Sequence, residues 1–243
     1  MPVLKILKRH GISVAILMAC SIASVPLWAN TPQQKPLSPE EIRLQQQAKK
    51  FKDFIPDQYF LFDAVEGDLN QDGQKDAVLI VKKIDPKGWV NHPDQGKLDR
   101  NRRGILVLLQ NQFKYQKLMQ NLTAFSSENE EGGVYFPPEL SVDIRKNILG
   151  IHYGHGRYGY WSYKFRLEQQ DMRLIGYDLS SNHGPYTDYR VSINFLSKQK
   201  KHSQNMNLAD RDLQEKFKHT WSKVNYSPIY LSKIKDFDEL NFE

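Results

Sequence analysis

The chain has 243 residues, with 34 Lys and Arg against 28 Asp and Glu, a formal net charge of +6. Its single cysteine, Cys20, rules out an internal disulfide, so a small cross-linked scaffold is excluded. Lys5, Lys8 and Arg9 lie in an N-terminal leader that holds no acid. Beyond residue 29 the charge therefore falls to +3, and composition no longer argues for nucleic-acid binding.

That leader reads as a secretory signal over residues 1–29. A basic start is followed by an apolar stretch from Ile12 to Trp28, short for a bilayer span of about 20 residues, with a small residue at Ala29. Cleavage after Ala29 is expected to leave 214 residues outside the cytoplasm. In a second reading, Leu17-Met18-Ala19-Cys20 is a bacterial lipobox that leaves a lipidated Cys20. Met18 is atypical there, and Ser21 to Trp28 would make an apolar mature terminus where a polar tether is usual. No other run is apolar enough to span a membrane.

Residues 30–37, rich in Gln and Pro, read as a flexible leader to one β-rich domain over 38–243. Ser38 with Glu41 forms a capping box and Pro39 sits at the first helical position. Leu44, Ala48, Phe51 and Ile55 share one face, so a helix over 38–55 is predicted, ended by Pro56. From Tyr59 the apolar period changes to two. Strands are predicted at Tyr59–Val65, Ala77–Lys83, Ile105–Leu109 and Phe113–Leu118, with a turn at Gln110-Asn111-Gln112. More follow at 140–144, Ile148–Tyr153, 161–167, Arg173–Tyr177 and 189–195, with Ser180–Asp188 as a loop. Leu213, Phe217 and Trp221 suit a helix face, whereas Phe217, His219 and Trp221 suit a strand. Ile229–Leu231 reads as a last strand. The class is mainly β: an antiparallel meander, sandwich or propeller-like sheet behind one N-terminal helix.

Between the first two strands, Asp68-Leu69-Asn70-Gln71-Asp72-Gly73-Gln74-Lys75-Asp76 fits D-x-N-x-D-G-x-x-D. Oxygens at positions 1, 3, 5 and 9 with a carbonyl at 7 can converge on a hard cation, and Gly73 permits the turn. The predicted Ca2+ ligands are Asp68, Asn70, Asp72, Asp76 and the carbonyl of Gln74. An EF-hand would need Glu at position 12, where Leu79 stands. The ion would act as a structural clip on a β-connection, with a dissociation constant of about 10⁻⁴ to 10⁻³ M. The bland alternative is a hydrophilic Asx-rich turn.

Val65 to Val81, apolar strands around G-D-L-N-Q-D-G, resembles the calcium loops of FG-GAP and VCBS repeat proteins, the integrin-like propeller group. The loop occurs once in this chain, without the repetition of those proteins. Gly132-Gly133-Val134, Phe165-Arg166-Leu167, Leu174-Ile175-Gly176 and Ser192-Ile193-Asn194-Phe195-Leu196, with Asp99 to Gly104, resemble recurring blocks of uncharacterised exported bacterial proteins. That likeness implies an envelope location and no particular activity.

Gly150 to Tyr163 sets aromatics, His152, His155 and Arg157 among four glycines at a predicted turn. Trp161, Tyr163 and Phe165 alternate as core residues, which leaves His155, Arg157 and Tyr158 as candidate ligand-binding residues. His152 and His155 are too few to hold zinc without a third ligand such as His183. Glu128, Glu130 and Glu131 could supply the carboxylate pair of a glycoside hydrolase, although adjacent loop acids are usually solvated. No nucleophile elbow, H-E-x-x-H or phosphate-loop motif is present. The expected function is non-catalytic: a calcium-stabilised periplasmic protein that binds an envelope protein or glycan, an immunity or inhibitor role included. The alternatives are an envelope glycan or peptidoglycan hydrolase, and a structural envelope component.

Overall fold

A computed structural model describes residues 37–129, 139–207 and 214–242. The helix α1 spans Pro39–Lys50. Thirteen strands follow among the described residues: β1 (Tyr59–Gly67), β2 (Asp76–Lys83), β3 (Trp89–His92), β4 (Gly96–Asp99), β5 (Arg103–Asn111), β6 (Lys114–Phe125), β7 (Glu139–Arg145), β8 (Ile148–Gly154), β9 (Gly159–Glu168), β10 (Asp171–His183), β11 (Tyr186–Asn194), β12 (Gln199–Asn205) and β13 (Phe217–Lys223). All their pairings are antiparallel. One sheet has the order β1-β2-β5-β6. A second is a meander of seven strands in sequence order, from β7 at one edge to β13 at the other, and β3-β4 is a separate hairpin.

β2 and β5 lack polar alternation because both of their faces are covered. Ala77, Leu79, Val81, Leu106 and Leu108 pack with Phe51, Leu44 and Ala48 on the helix side. Val78, Ile80, Ile105 and Val107 turn the other way, into a core shared with Leu149, Ile151, Tyr153, Trp161, Tyr163 and Phe165 of the meander. The molecule is thus layered as helix, four-stranded sheet and seven-stranded sheet, and the sandwich is the realised alternative. Each fully buried aliphatic side chain contributes about 1.5–3 kcal/mol to holding these layers together. The sheet edges meet where Gly67 faces Ile144. A Cβ on Gly67 would lie 2.8 Å from the Ile144 side chain.

Past β13 the chain returns over the inner face of the meander. Leu231, Ile234, Phe237 and Phe242 are buried in the shared core. Asn121 donates its amide to the carbonyls of Leu231 (2.9 Å) and Ile234 (2.6 Å), so the Asn of the Asn-Leu-Thr triplet is an internal fastener.

Several boundaries differ from the sequence reading. α1 ends at Lys50, not at 55, because Phe51 leaves helical dihedrals (φ −104°, ψ 12°) and is wholly buried. The β5-β6 reversal uses Gln112-Phe113, both at positive φ, not Gln110-Asn111-Gln112. Ser180–Asp188 is not a loop: β10 runs to His183 and β11 starts at Tyr186, a tight hairpin around Gly184. Phe217 to Trp221 form a strand, and Ile229–Leu231 gives only a bridge from Tyr230 to Arg173 before a short 3-10 turn. The β3-β4 hairpin and β12 escaped the sequence reading. Residues 1–36 of the predicted leaders, with Cys20, and Glu130, Glu131, Gly132-Gly133-Val134 and Leu213 lie outside the described residues. Among those described, no helix is long and apolar enough to cross a membrane.

Candidate functional site

The loop between β1 and β2 is held by its own side chains. Asp68 Oδ1 and Oδ2 accept from the amides of Gln71 (2.6 Å) and Gly73 (3.1 Å), and Asn70 Oδ1 accepts from Asp72 N (3.0 Å). Asp72 Oδ1 accepts from Gln74 N (2.7 Å), while the Asn70 amide donates to Asp72 Oδ2 (3.0 Å). These bonds hold the Asp72 carboxyl below its ordinary range. Asp76 is fully buried and accepts from Leu69 N (2.8 Å) and Gln110 N (2.9 Å). Burial raises its pKa and the negative charge of Asp72 adds to the rise, against the pull of those amides. Among the described residues no three Asp, Glu, His or Cys side chains form a ready-made metal cage. The donor chemistry nonetheless fits a hard cation: three carboxylates, one amide oxygen and a glycine at φ +81°, with one buried carboxylate destabilised by another. The loop is also tied to the second sheet, since Asn147 donates to Asp68 O (2.9 Å).

The β8-β9 turn separates the three residues assigned there. His155 is half-buried, its ring against Tyr153 (5.1 Å) and Trp161 (6.4 Å), and burial lowers its pKa while Asp238 pulls it up. Arg157 and Tyr158 are exposed on a short 3-10 turn. The reversal depends on Gly159, at φ +110°, where a Cβ would lie 1.8 Å from Ser180 O. His152 lies on the opposite face of its strand from Tyr153, its ring 5.0 Å from Tyr160. Thus His152 and His155 do not share a metal site.

Glu128 is occupied. Its Oε1 pairs with Lys82 Nζ (2.7 Å), which also binds Asp99 Oδ2 (3.0 Å), and Lys82 is buried to 1% exposure. Arg103, across the β2-β5 ladder from Lys82, is equally buried, and donates to Ser126 O (2.9 Å) and Tyr153 Oη (3.2 Å). Two carboxylates neutralise Lys82 between the sheets, where a lost partner would leave an uncompensated charge, and a carbonyl and a hydroxyl accept from the Arg103 guanidinium.

The sequence reading missed the outer face of the meander, which no other layer among the described residues covers. Register alone assembles it. One row crosses Tyr160, Ser180, Arg190, Ser203 and His219. The next crosses His152, Ser162, Asp178, Ser192, Lys201 and Trp221. Trp221 is 62% exposed, with Lys201 Nζ 5.7 Å from its ring, and the Arg190 guanidinium lies 4.8 Å from the Phe217 ring. Asp178 is held by Lys164 (2.8 Å) and Ser192 (2.7 Å), and His219 Nδ1 contacts Ser203 Oγ (2.9 Å). A shallow cleft of about 190 Å³ lies among Tyr160, Arg190, Lys201, Phe217 and His219. Enclosed small-molecule pockets run from about 300 Å³ upward, so this surface suits an extended ligand laid across it. The only trace in the sequence is the period-two alternation of β9 to β11, whose other face is apolar; β12 and β13 carry polar residues on both faces and give none.

No protein-family model, curated protein or solved structure matches this chain.

Proposed function

We propose that this chain is a non-catalytic, exported binding protein of the bacterial periplasm, stabilised by Ca2+ at the loop of Asp68 to Asp76, and that it grips an envelope glycan or protein through the outer face of the meander. The observation that carries this reading is the pair of cross-strand rows from Tyr160 to His219 and from His152 to Trp221, which set ring faces, cations and hydroxyls side by side on a sheet face left open among the described residues. Such a surface offers both stacking area and hydrogen-bond donors. Arg157 and Tyr158, just before Tyr160 in the chain, border it and extend the contact. In the loop, Asp68, Asn70, Asp72, Asp76 and the Gln74 carbonyl would hold the ion, their side chains turning from backbone amides toward it.

Retention of the protein on isolated envelope material tests the reading. The wild type should be retained, and Trp221→Ala, on an exposed side chain, should release it while the melting temperature stays unchanged. Equal retention of the two proteins would remove the face from the account.

A further inference from the structure

The charge of the outer face narrows the class of ligand. β12 and β13 together carry Lys200, Lys201, Lys218 and Lys223 with two histidines and no acid. Of these, Lys201, Lys223 and His219 lie on the outer face, Lys201 and His219 beside Arg190. Among the described residues Lys201 has no carboxylate partner, and a ring contact leaves its charge uncancelled. Arg190 is oriented by three contacts: the Phe217 ring, Thr187 Oγ1 at 3.2 Å and Glu215 Oε2 at 3.7 Å. The one acid of the cleft, Asp178, is occupied by Lys164 and Ser192. What remains for a ligand is Lys201, the exposed Arg190 guanidinium shared with Glu215 at 3.7 Å, an imidazole and flanking rings.

A second cleft, of about 450 Å³, lies on the inner face among Asp188, Tyr189, Lys200, His202 and Gln204. Its polar groups are already used. Gln204 donates to Asp188 (2.9 Å), Lys200 donates to Phe242 O (2.7 Å), and the Tyr189 and His202 rings stack on each other. The outer cleft is therefore the better receptor.

Resting on the reading above, we propose that this cleft binds a carboxylated glycan, with sugar-ring faces against Trp221 and Tyr160 and the carboxylate on Arg190 and Lys201. A guanidinium presents a planar fork that matches a carboxylate, and Lys201 adds a point charge. Adjacent strands are about 4.8 Å apart, so Tyr160 on β9 and His219 on β13 are separated by four spacings, about 19 Å. That length accommodates an extended oligosaccharide, and Ser192 Oγ, which donates to Asp178, keeps a lone pair while His219, bonded to Ser203 through Nδ1, keeps its Nε2 for the sugar hydroxyls.

Titration of the full chain by calorimetry with galacturonate tetramer, and with its fully methyl-esterified form, tests the assignment. The acid should bind at least about tenfold more tightly than the ester, and Lys201→Gln and Arg190→Gln should each cost the acid about tenfold without changing the ester. Trp221→Ala should weaken both. Lys201→Gln changes a partly exposed side chain, so it reports even if Arg190→Gln disturbs the fold. Equal binding of acid and ester, both weakened by Trp221→Ala, would overturn the carboxylate assignment and leave glycan binding standing. If neither sugar binds while retention on envelope material still needs Trp221, the carboxylated-glycan assignment falls and the binding face remains. If neither binds and retention is indifferent to Trp221, both readings fall. Displacement of the acid by a single-stranded oligonucleotide of equal affinity would also overturn it, since phosphate rather than a sugar acid would then be the preferred anion.

Discussion

His155 shows how one side chain can link packing to pH. Its ring is held against Tyr153 and Trp161, and desolvation lowers its pKa below the ordinary 6.5, with Asp238 opposing. A histidine lowered in this way binds fewer protons in the folded state than in the unfolded one. Stability then rises with pH between the folded and unfolded values, and is lost as pH falls below about 6.5. Replacing Asp238 by Asn removes the opposing charge and should lower the His155 titration further, as read from its ring C–H resonances. A midpoint that stays put or rises would show that Asp238 does not act on it. His155→Phe should flatten the stability change between about pH 5 and 7, measured by urea midpoints.

At the scale of elements, the loop between β1 and β2 is the piece whose stability depends on what is added. If Ca2+ fills it with a dissociation constant of about 10⁻³ M, roughly 10 mM ion should stabilise the fold by about 1.4 kcal/mol, visible as a higher melting temperature reversed by chelator. Asp72→Ala should abolish that response. A melting temperature indifferent to both Ca2+ and chelator would leave the loop an Asx-rich turn. The loop was legible because all nine of its positions are local. Strands β2 and β5 were legible because burial on both faces leaves an unbroken apolar run. β12 was not. Its residues Gln199 to Asn205 contain no hydrophobic side chain, and it exists because β11 and β13 satisfy its backbone on both sides. β3 and β4 bury none of their residues. Asn147 marks the turn at Lys146-Asn147, because Asn tolerates positive φ, whereas Gln112-Phe113 adopts positive φ with neither glycine nor asparagine and was invisible to residue preference. The outer-face rows were illegible for a related reason. His152 and Trp221 are far apart in sequence, and only the register of six strands brings their row together.

For the whole molecule, the layers account for what covers each sheet except at one end. α1 covers the four-stranded sheet from outside, and that sheet covers part of the meander. The remainder of the inner face is closed by the chain after β13. Phe237 stacks against Phe125 (4.9 Å) and Trp161 (5.7 Å) and meets the edge of Tyr163 (4.8 Å), while Phe242 packs on Tyr177 (5.0 Å) and Phe195 (5.2 Å). Besides the Asn121 hydrogen bonds, this segment is held by apolar filling and by the surface pair of Arg102 with Asp236 at 2.6 Å. They differ in expected size. Truncating a buried phenylalanine costs about 3–5 kcal/mol because a cavity replaces it, whereas a partly exposed ion pair contributes about 1 kcal/mol or less. Phe237→Ala should therefore lower the urea midpoint several times more than Asp236→Ala. It should also disturb the near-ultraviolet signal of the Trp161 and Tyr163 cluster, which Asp236→Ala should leave intact. Equal costs would mean that the segment lies on the sheet as a tether instead of completing its core. The unequal result would make the C-terminal stretch part of the platform that keeps the meander, and with it the outer face, in a single register.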